Sequence, residues 1–159
     1  MIKQDTLDAE EYKTTIEYRT FAKTVDVIFI DTPFPISECQ QKNLDNFMLQ
    51  EGSFASDIFN KVFDFYRASY ADYKEGWTYG NNLGEEEIEK YLPAPTAPEK
   101  LKEHFSPFTI YIPDKNKCKD GFIGISFDCT WDINNGLGVL IKDWKVVEVS
   151  VSEISFIYF

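Results

Sequence analysis

Few residues of this chain have the type and spacing that chemistry requires. His104 is the lone histidine, which rules out any two-histidine metal motif, and Cys39, Cys118 and Cys129 are too scattered to form a sequence-local zinc site with it. A nucleophilic cysteine needs a base that meets it in space, so His104 with Cys129 or Cys118 remains the formal pair. Cys129 falls within a strand pattern, where a free thiol ordinarily serves as a small buried apolar group. Two segments have the side chains of a calcium loop, Asp114, Asn116 and Asp120, and Asp132, Asn134 and Asp143. Their sixth positions hold Lys119 and Leu137 where the loop needs glycine, and strands flank them where it needs helices. Turn chemistry is the expected use of these Asp and Asn side chains. Gly136-Leu-Gly138 lacks the third glycine and the Lys-Ser or Lys-Thr of a phosphate loop, and predicts a bulge or close backbone packing. No catalytic residue, metal ligand or cofactor is assigned.

The elements that must position these residues follow from hydrophobic periodicity. Tyr12, Thr14, Ile16 and Tyr18 alternate with Lys13, Thr15, Glu17 and Arg19, predicting a half-buried strand up to Phe21. A turn at 22–24 and a β-branched run from Thr24 to Ile30 complete a hairpin, which ends at the two prolines of 31–35. Ser37 followed by Gln40 is a capping-box pattern and opens a helix to about Gln50. A second helix over 54–73 carries Phe54, Ile58, Phe59, Val62, Phe63, Tyr66, Tyr70 and Tyr73 as its buried stripe. Residues 74–106 are expected as a loop with two short helices, because Gly76, Gly80 and Gly84 and then Pro93, Pro95 and Pro98 punctuate it. Pro95 to Pro98 is read as a stiff connector. From Phe108 the chain turns β-rich, with strands expected at 108–112, 122–129, 138–142, 145–150 and 154–158. The class is α+β: an N-terminal β-hairpin, a central helical pair and a C-terminal antiparallel β-sheet in one domain over 1–159. Phe127, Cys129 and Trp131 should share its buried face, with Asp128, Thr130 and Asp132 on the other.

Composition narrows the functional classes. Aromatic residues make up 16% of the 159, enough for a packed core rather than disorder. The net charge of -11 is spread evenly, with no acidic tail and no basic patch. The two arginines, Arg19 and Arg67, are far apart, so a phosphate-tracking surface is missing and nucleic-acid binding is rejected. An acidic surface repels anionic membranes and speeds encounter with a basic protein. The opening residues lack the apolar stretch of a secretory signal, and three cysteines cannot all pair, so a reducing cytoplasm with free thiols is expected.

The segment from Cys129-Thr-Trp-Asp132 to Gly136-Leu-Gly-Val139, followed by Val146-Val-Glu-Val149, resembles an uncharacterised bacterial domain family of unknown function. Ile36 to Gln40 and the helix around Phe65-Tyr66 resemble its middle portion, so the similarity covers about 25–155 and is most specific over 124–149. Two departures stand out. Asn134 and Asn135 occupy a span where the family tends to carry an acid and a histidine, and Ser150 to Glu153 replace a glycine and aspartate. The resemblance implies a bacterial cytosolic protein in an interaction or toxin-immunity context, and supplies no catalytic residues.

Together these features favour a non-enzymatic protein-binding module, an immunity-like protein that neutralises a partner toxin through its acidic surface. Trp77, Tyr79, Asp132, Asn134, Asn135 and Trp144 are the expected contact residues, with Trp77 and Tyr79 as aromatic anchors on a glycine-rich loop. The competing readings are a small enzyme built on Cys129 or on Asp128 and Asp132, and a structural or regulatory module acting within an oligomer.

Overall fold

The computed structural model describes residues 11–80 and 82–159. Six strands form one mixed sheet in sequential order: β1 (Lys13–Tyr18), β2 (Lys23–Phe29), β3 (Phe105–Ile112), β4 (Ile123–Cys129), β5 (Leu137–Lys142) and β6 (Lys145–Ser150). Neighbours are antiparallel except β2 and β3, which run parallel. A parallel pair cannot be closed by a tight turn, and its crossover contains α1 (Glu38–Gln50), α2 (Ala55–Gly80) and α3 (Glu85–Tyr91). The fold is therefore α+β, and the hairpin belongs to the same sheet as the C-terminal strands.

Local chemistry sets each boundary. A 3-10 turn at Arg19–Phe21 closes the first hairpin, so the strand expected through Phe21 stops at Tyr18. Ala22 at φ 49° completes that turn. The capping box is fully formed: Ser37 Oγ accepts from Gln40 N at 3.2 Å, and Gln40 Oε1 accepts from Ser37 N at 2.9 Å. Two backbone donors orphaned at the start of α1 are thereby satisfied.

Helix α2 continues to Gly80, so positions 74–80, expected as the start of a loop, are helical. Its stripe extends through Tyr70, Tyr73 and Trp77, all packed against the core. Gly76 lies on open surface, and glycine inside a helix costs only about 1 kcal/mol relative to alanine. Packing of Trp77 outweighs that penalty.

In β4 and β5 the odd-numbered residues Ile123, Ile125, Phe127, Val139 and Ile141 join the core shared with both long helices. The even-numbered face is covered by the carboxyl-terminal segment. The strand expected over 154–158 is instead a 3-10 turn at Ser152–Ser155, with Ile154 and Ser155 buried. This turn approaches the sheet where side chains are missing. A Cβ on Gly124 would lie 1.6 Å from the Ser155 carbonyl oxygen, and one on Gly138 would lie 2.7 Å from the Val151 oxygen. In β3 a register shift between Pro107 and Thr109 puts both Phe105 and Ile110 in the core and turns Phe108 outward, 57% exposed.

Two glycine substitutions should move stability in opposite directions. Gly124→Ala forces a methyl into the Ser155 backbone and should cost about 3 kcal/mol, near the top of the overpacking range. Gly76→Ala meets nothing and should stabilise by about 0.5–1 kcal/mol. Urea unfolding of both variants checks this, and equal effects would contradict the packing described.

Candidate functional site

The six residues expected to form a contact surface separate into three places. Trp77 and Tyr79 stand two positions apart on α2, about 200° around the helix, and so face opposite sides. Trp77 points inward: its Nε1 donates to the Trp131 carbonyl at 2.9 Å, and its ring stacks on Tyr91 at 5.3 Å with 9° between planes. Tyr79 points outward and is 84% exposed. The expectation of two anchors on one loop is thus corrected, because both residues are helical and only Tyr79 is free of the core. Trp144 lies elsewhere. It follows Asp143 in a turn with positive φ at both residues and stacks on Phe54 at 6.1 Å, just ahead of α2. Phe54 and Trp77 are separated by the length of α2, about 35 Å at 1.5 Å per residue. Trp144 thus serves the core margin at the opposite end.

Asp132, Asn134 and Asn135 do come together with Trp77. They line one side of a cleft of about 450 Å³ whose other side is the last turns of α2, Asp72, Tyr73, Gly76 and Trp77. Trp131 forms its deep wall. This side chain is 1% exposed, packs on Tyr66 at 4.7 Å, and has a buried Nε1 that makes no hydrogen bond of normal geometry, although the Tyr73 hydroxyl stands beside it. Burial pushes the Tyr73 hydroxyl up to about 12, helped by the negative charge of Asp132. The hydroxyl is therefore a neutral donor at physiological pH. Asp132 folds back on its own turn, accepting from Asn135 N at 3.1 Å and Asn135 Nδ2 at 3.2 Å. That bonding is the turn chemistry read from the sequence. Ile133, at the tip of the turn, is 79% exposed.

Asp72, Tyr73, Gly76, Trp131 and Ile133 line the cleft but were not among the expected contact residues. For those on α2 the signal was present in the spacing: Asp72 and Gly76, and Tyr73 and Trp77, are i and i+4 pairs, which meet on one helix face once α2 is extended.

A shallower depression nearby holds His104, Ser106, Asp128, Cys129 and Thr130. Here the candidate nucleophile is occupied otherwise: Cys129 Sγ donates to the Asp132 carbonyl at 3.5 Å. Burial pushes its thiol up to about 12, so it stays protonated at neutral pH. The Thr130 hydroxyl donates to the Tyr91 carbonyl at 2.7 Å, so at 2.9 Å from His104 Nδ1 it accepts. His104 then carries its proton on Nδ1 and leaves Nε2 as an acceptor. Burial lowers the His104 pKa, partly countered by Glu103. Asp128 is the one exposed residue of β4, near the end of the strand, apart from Asp132 in the turn beyond it.

Comparison of the whole chain with known families decides its membership. Residues 2–156 match the model of a domain of unknown function, DUF6985. The chain belongs to that family. No curated protein and no solved structure matches it. Within the DUF6985 domain, the Cys129–Val139 segment spans the end of β4, the cleft-lining turn and the start of β5.

Two measurements test these assignments. Trp77→Phe keeps the stacking but loses the bond to the Trp131 carbonyl and should destabilise by about 1 kcal/mol, whereas Tyr79→Ala should stay within about 0.5 kcal/mol. For His104, burial disfavours the charged form, so the unfolded chain takes up the proton first as pH falls. Its contribution to stability should decline from its unfolded pKa, about 6.5, down to its lower folded value and then level off. The stability of the protein relative to His104→Gln, followed by denaturant unfolding from neutral pH downward, should fall through that window; a flat difference would place His104 in solvent.

Proposed function

We propose that this domain is a non-enzymatic protein-binding module of the bacterial cytoplasm, an immunity-like protein that neutralises a toxin by receiving a basic part of it. The observation that carries this reading is the cleft between α2 and the 131–135 turn. Asp72 and Asp132 face it with no ion pair to a described residue, and the described residues form three ion pairs in all, none at this cleft. Tyr73 and Trp77, Asn134 and Asn135 and the exposed Ile133 complete it. Carboxylates beside polar and aromatic side chains suit a lysine or arginine side chain through charge and hydrogen bonding. An apolar Ile133 at the rim adds area that excludes water around such a contact. The net charge of -11 extends the attraction beyond the cleft and would accelerate encounter.

The enzyme reading has less support. Cys129 is buried, protonated and bonded to a backbone carbonyl rather than to His104. Asp132 is committed to its turn.

A partner captured from the source cells provides the material for a kinetic test. Association should slow markedly between low and high salt, because exposed charges chiefly set the encounter rate. Asp72→Lys lies on the exposed side of a helix and should leave melting unchanged. It should weaken binding at least about fivefold, the loss of about 1 kcal/mol at a central contact. Salt-independent association together with unchanged affinity in Asp72→Lys would refute the proposal. Turnover by the purified protein, lost in a folded Cys129→Ser variant, would establish the enzyme instead.

A further inference from the structure

The two edges of the sheet differ. At β6 the ladder shifts register between Leu140 and Ile141, and the Asp57 carboxylate accepts from Val146 N at 3.2 Å, two features that discourage further pairing. At the other edge β1 pairs with β2 without a shift and contains neither proline nor glycine. Phe29 N donates to the Tyr12 carbonyl at 3.1 Å, so Tyr12 turns that carbonyl toward β2. Alternation along an antiparallel strand gives Thr14, Ile16 and Tyr18 the same direction, and points the N–H and C=O groups of Lys13, Thr15 and Glu17 away from the sheet. Among the described residues no turn or loop backbone group bonds to them.

The charges along this edge complement a copy of β1 running the opposite way. An antiparallel copy centred on Thr15 sets Lys13 against Glu17 twice, and Glu11 against Arg19 twice beyond them. Moving the centre to Thr14 sets Glu11 against Glu17, and moving it to Ile16 sets Lys13 against Arg19. Like charges directly opposite are destabilising, so one register is selected. Lys13, Thr15 and Glu17 are exposed, and none of the three ion pairs among the described residues uses Lys13 or Glu17. An edge that charge serves only to protect needs no such complementarity. Beside the strand, Met48 and the 79% exposed Leu49 of α1 flank Thr15 and Ile16 in a groove of about 560 Å³. A second copy would cover this apolar margin.

We propose that β1 is a self-association surface, through which two copies of the chain join edge to edge, around a two-fold axis at Thr15, into one continuous sheet. Thr15 exchanges both backbone bonds with Thr15 of the second copy, and Lys13 does the same with Glu17, so backbone pairing and ion pairing fall on the same residues. Such an interface uses the same patch on both chains and closes on itself. The assembly stops at a dimer because the far edge, β6, is blunted. One strand pair with a narrow apolar margin is smaller than the interface of an obligate dimer, so the association is reversible. The cleft between α2 and the 131–135 turn contains no residue of β1, so self-association and partner binding are separate properties.

Sedimentation equilibrium of the full chain from about 1 μM to about 1 mM tests this, since a weak interface fills only toward the upper end. The measured mass should rise from one chain to two and no further. Lys13→Glu and Glu17→Lys should each weaken self-association at least about tenfold, because each turns two attractions across the axis into repulsions. Both sites are exposed, so the circular dichroism and melting of the dilute variants should be unchanged. Mixing the two variants should restore dimers as a heterodimer, one chain then having acids at both positions and the other bases. The double variant should dimerise like the unaltered chain. Thr15→Cys should form a disulfide-linked dimer under a mild oxidant where the unaltered chain does not, as directly paired Cα atoms about 5.5 Å apart suit that bond. A monomer at every concentration would overturn the proposal, including one whose β1 amides resist exchange because another segment of the chain covers them. A dimer indifferent to both reversals, one not restored by mixing, or one that Thr15→Cys fails to link would overturn it equally.

Discussion

The close approach of the carboxyl-terminal turn to the backbone of β4 and β5 is the constraint on which the rest of the structure depends. The two strands are buried on both faces, which for antiparallel strands requires a cover beyond the helical layer. The chain supplies it from its own end, and the cover fits only because Gly124 and Gly138 present bare backbone to Ser155, Val151 and Ile154. Leu140 and Ile154 are buried on this side without joining the main core. The sheet thus has two cores of unequal size, a large one under α1 and α2 and a small one under the last ten residues. Anchoring of the turn at 131–135 follows from the same arrangement. Ser152 N donates to the Asn135 carbonyl at 3.0 Å, which fixes one wall of the cleft to the carboxyl-terminal cover.

The opposite wall is set by aromatic packing along α2. Tyr66, Trp131 and Phe105 form a continuous cluster, with ring centroids 4.7 Å apart for Tyr66 and Trp131 and 6.3 Å for Phe105 and Trp131. The Tyr66 hydroxyl donates to the Pro93 carbonyl, so the same residue holds the chain that returns from α3 to the sheet. Trp77, about three turns further along α2, extends this system and bonds to the Trp131 backbone. Cleft geometry therefore rests on buried side chains whose rotamers are fixed by their neighbours, while its charges lie at the surface, where substitution is cheap. Such a division suits a recognition surface, since specificity can change without disturbing the core.

Much of the fold was legible in the sequence because its signals are local. Alternation in 12–18, the β-branched run into Phe29 and the turn residues Asp143 and Trp144 each depend on neighbours within a few positions. The Ser37–Gln40 capping box was legible for the same reason. The misreadings involve distant partners. Ile154, Phe156 and Tyr158 alternate like a strand, yet their conformation is decided by Gly124 and Gly138, far upstream. Gly76 reads as a helix breaker until the contact between Trp77 and Trp131 is known. The β3 strand starts three residues early because Pro107 sits at an irregularity where its missing donor is tolerated. In the candidate site the Asp132–Asn135 turn was identified as polar turn chemistry, but its apposition to Asp72 and Tyr73 depends on the full length of α2. The amide bonds from Gln40 and Asn43 to the Pro113 and Phe122 carbonyls join a helix to a distant connection and leave no trace in local spacing.

The parallel pairing of β2 and β3 links these features to function. Because the two strands run in the same direction, the chain must travel the length of the sheet between Phe29 and Phe105, and α1, α2 and α3 occupy that passage. Each end of the passage meets a strand connection: α1 meets the β3–β4 connection through its amides, and the end of α2 meets the β4–β5 connection through Trp77. β4 is the strand common to both connections. β4 therefore leads from the first connection into the cleft, and its residues Ile123 to Cys129 are almost continuously buried. Close-packed interiors are stiff, so the joint at α1 and the cleft at the end of α2 are held at a fixed spacing by one buried strand.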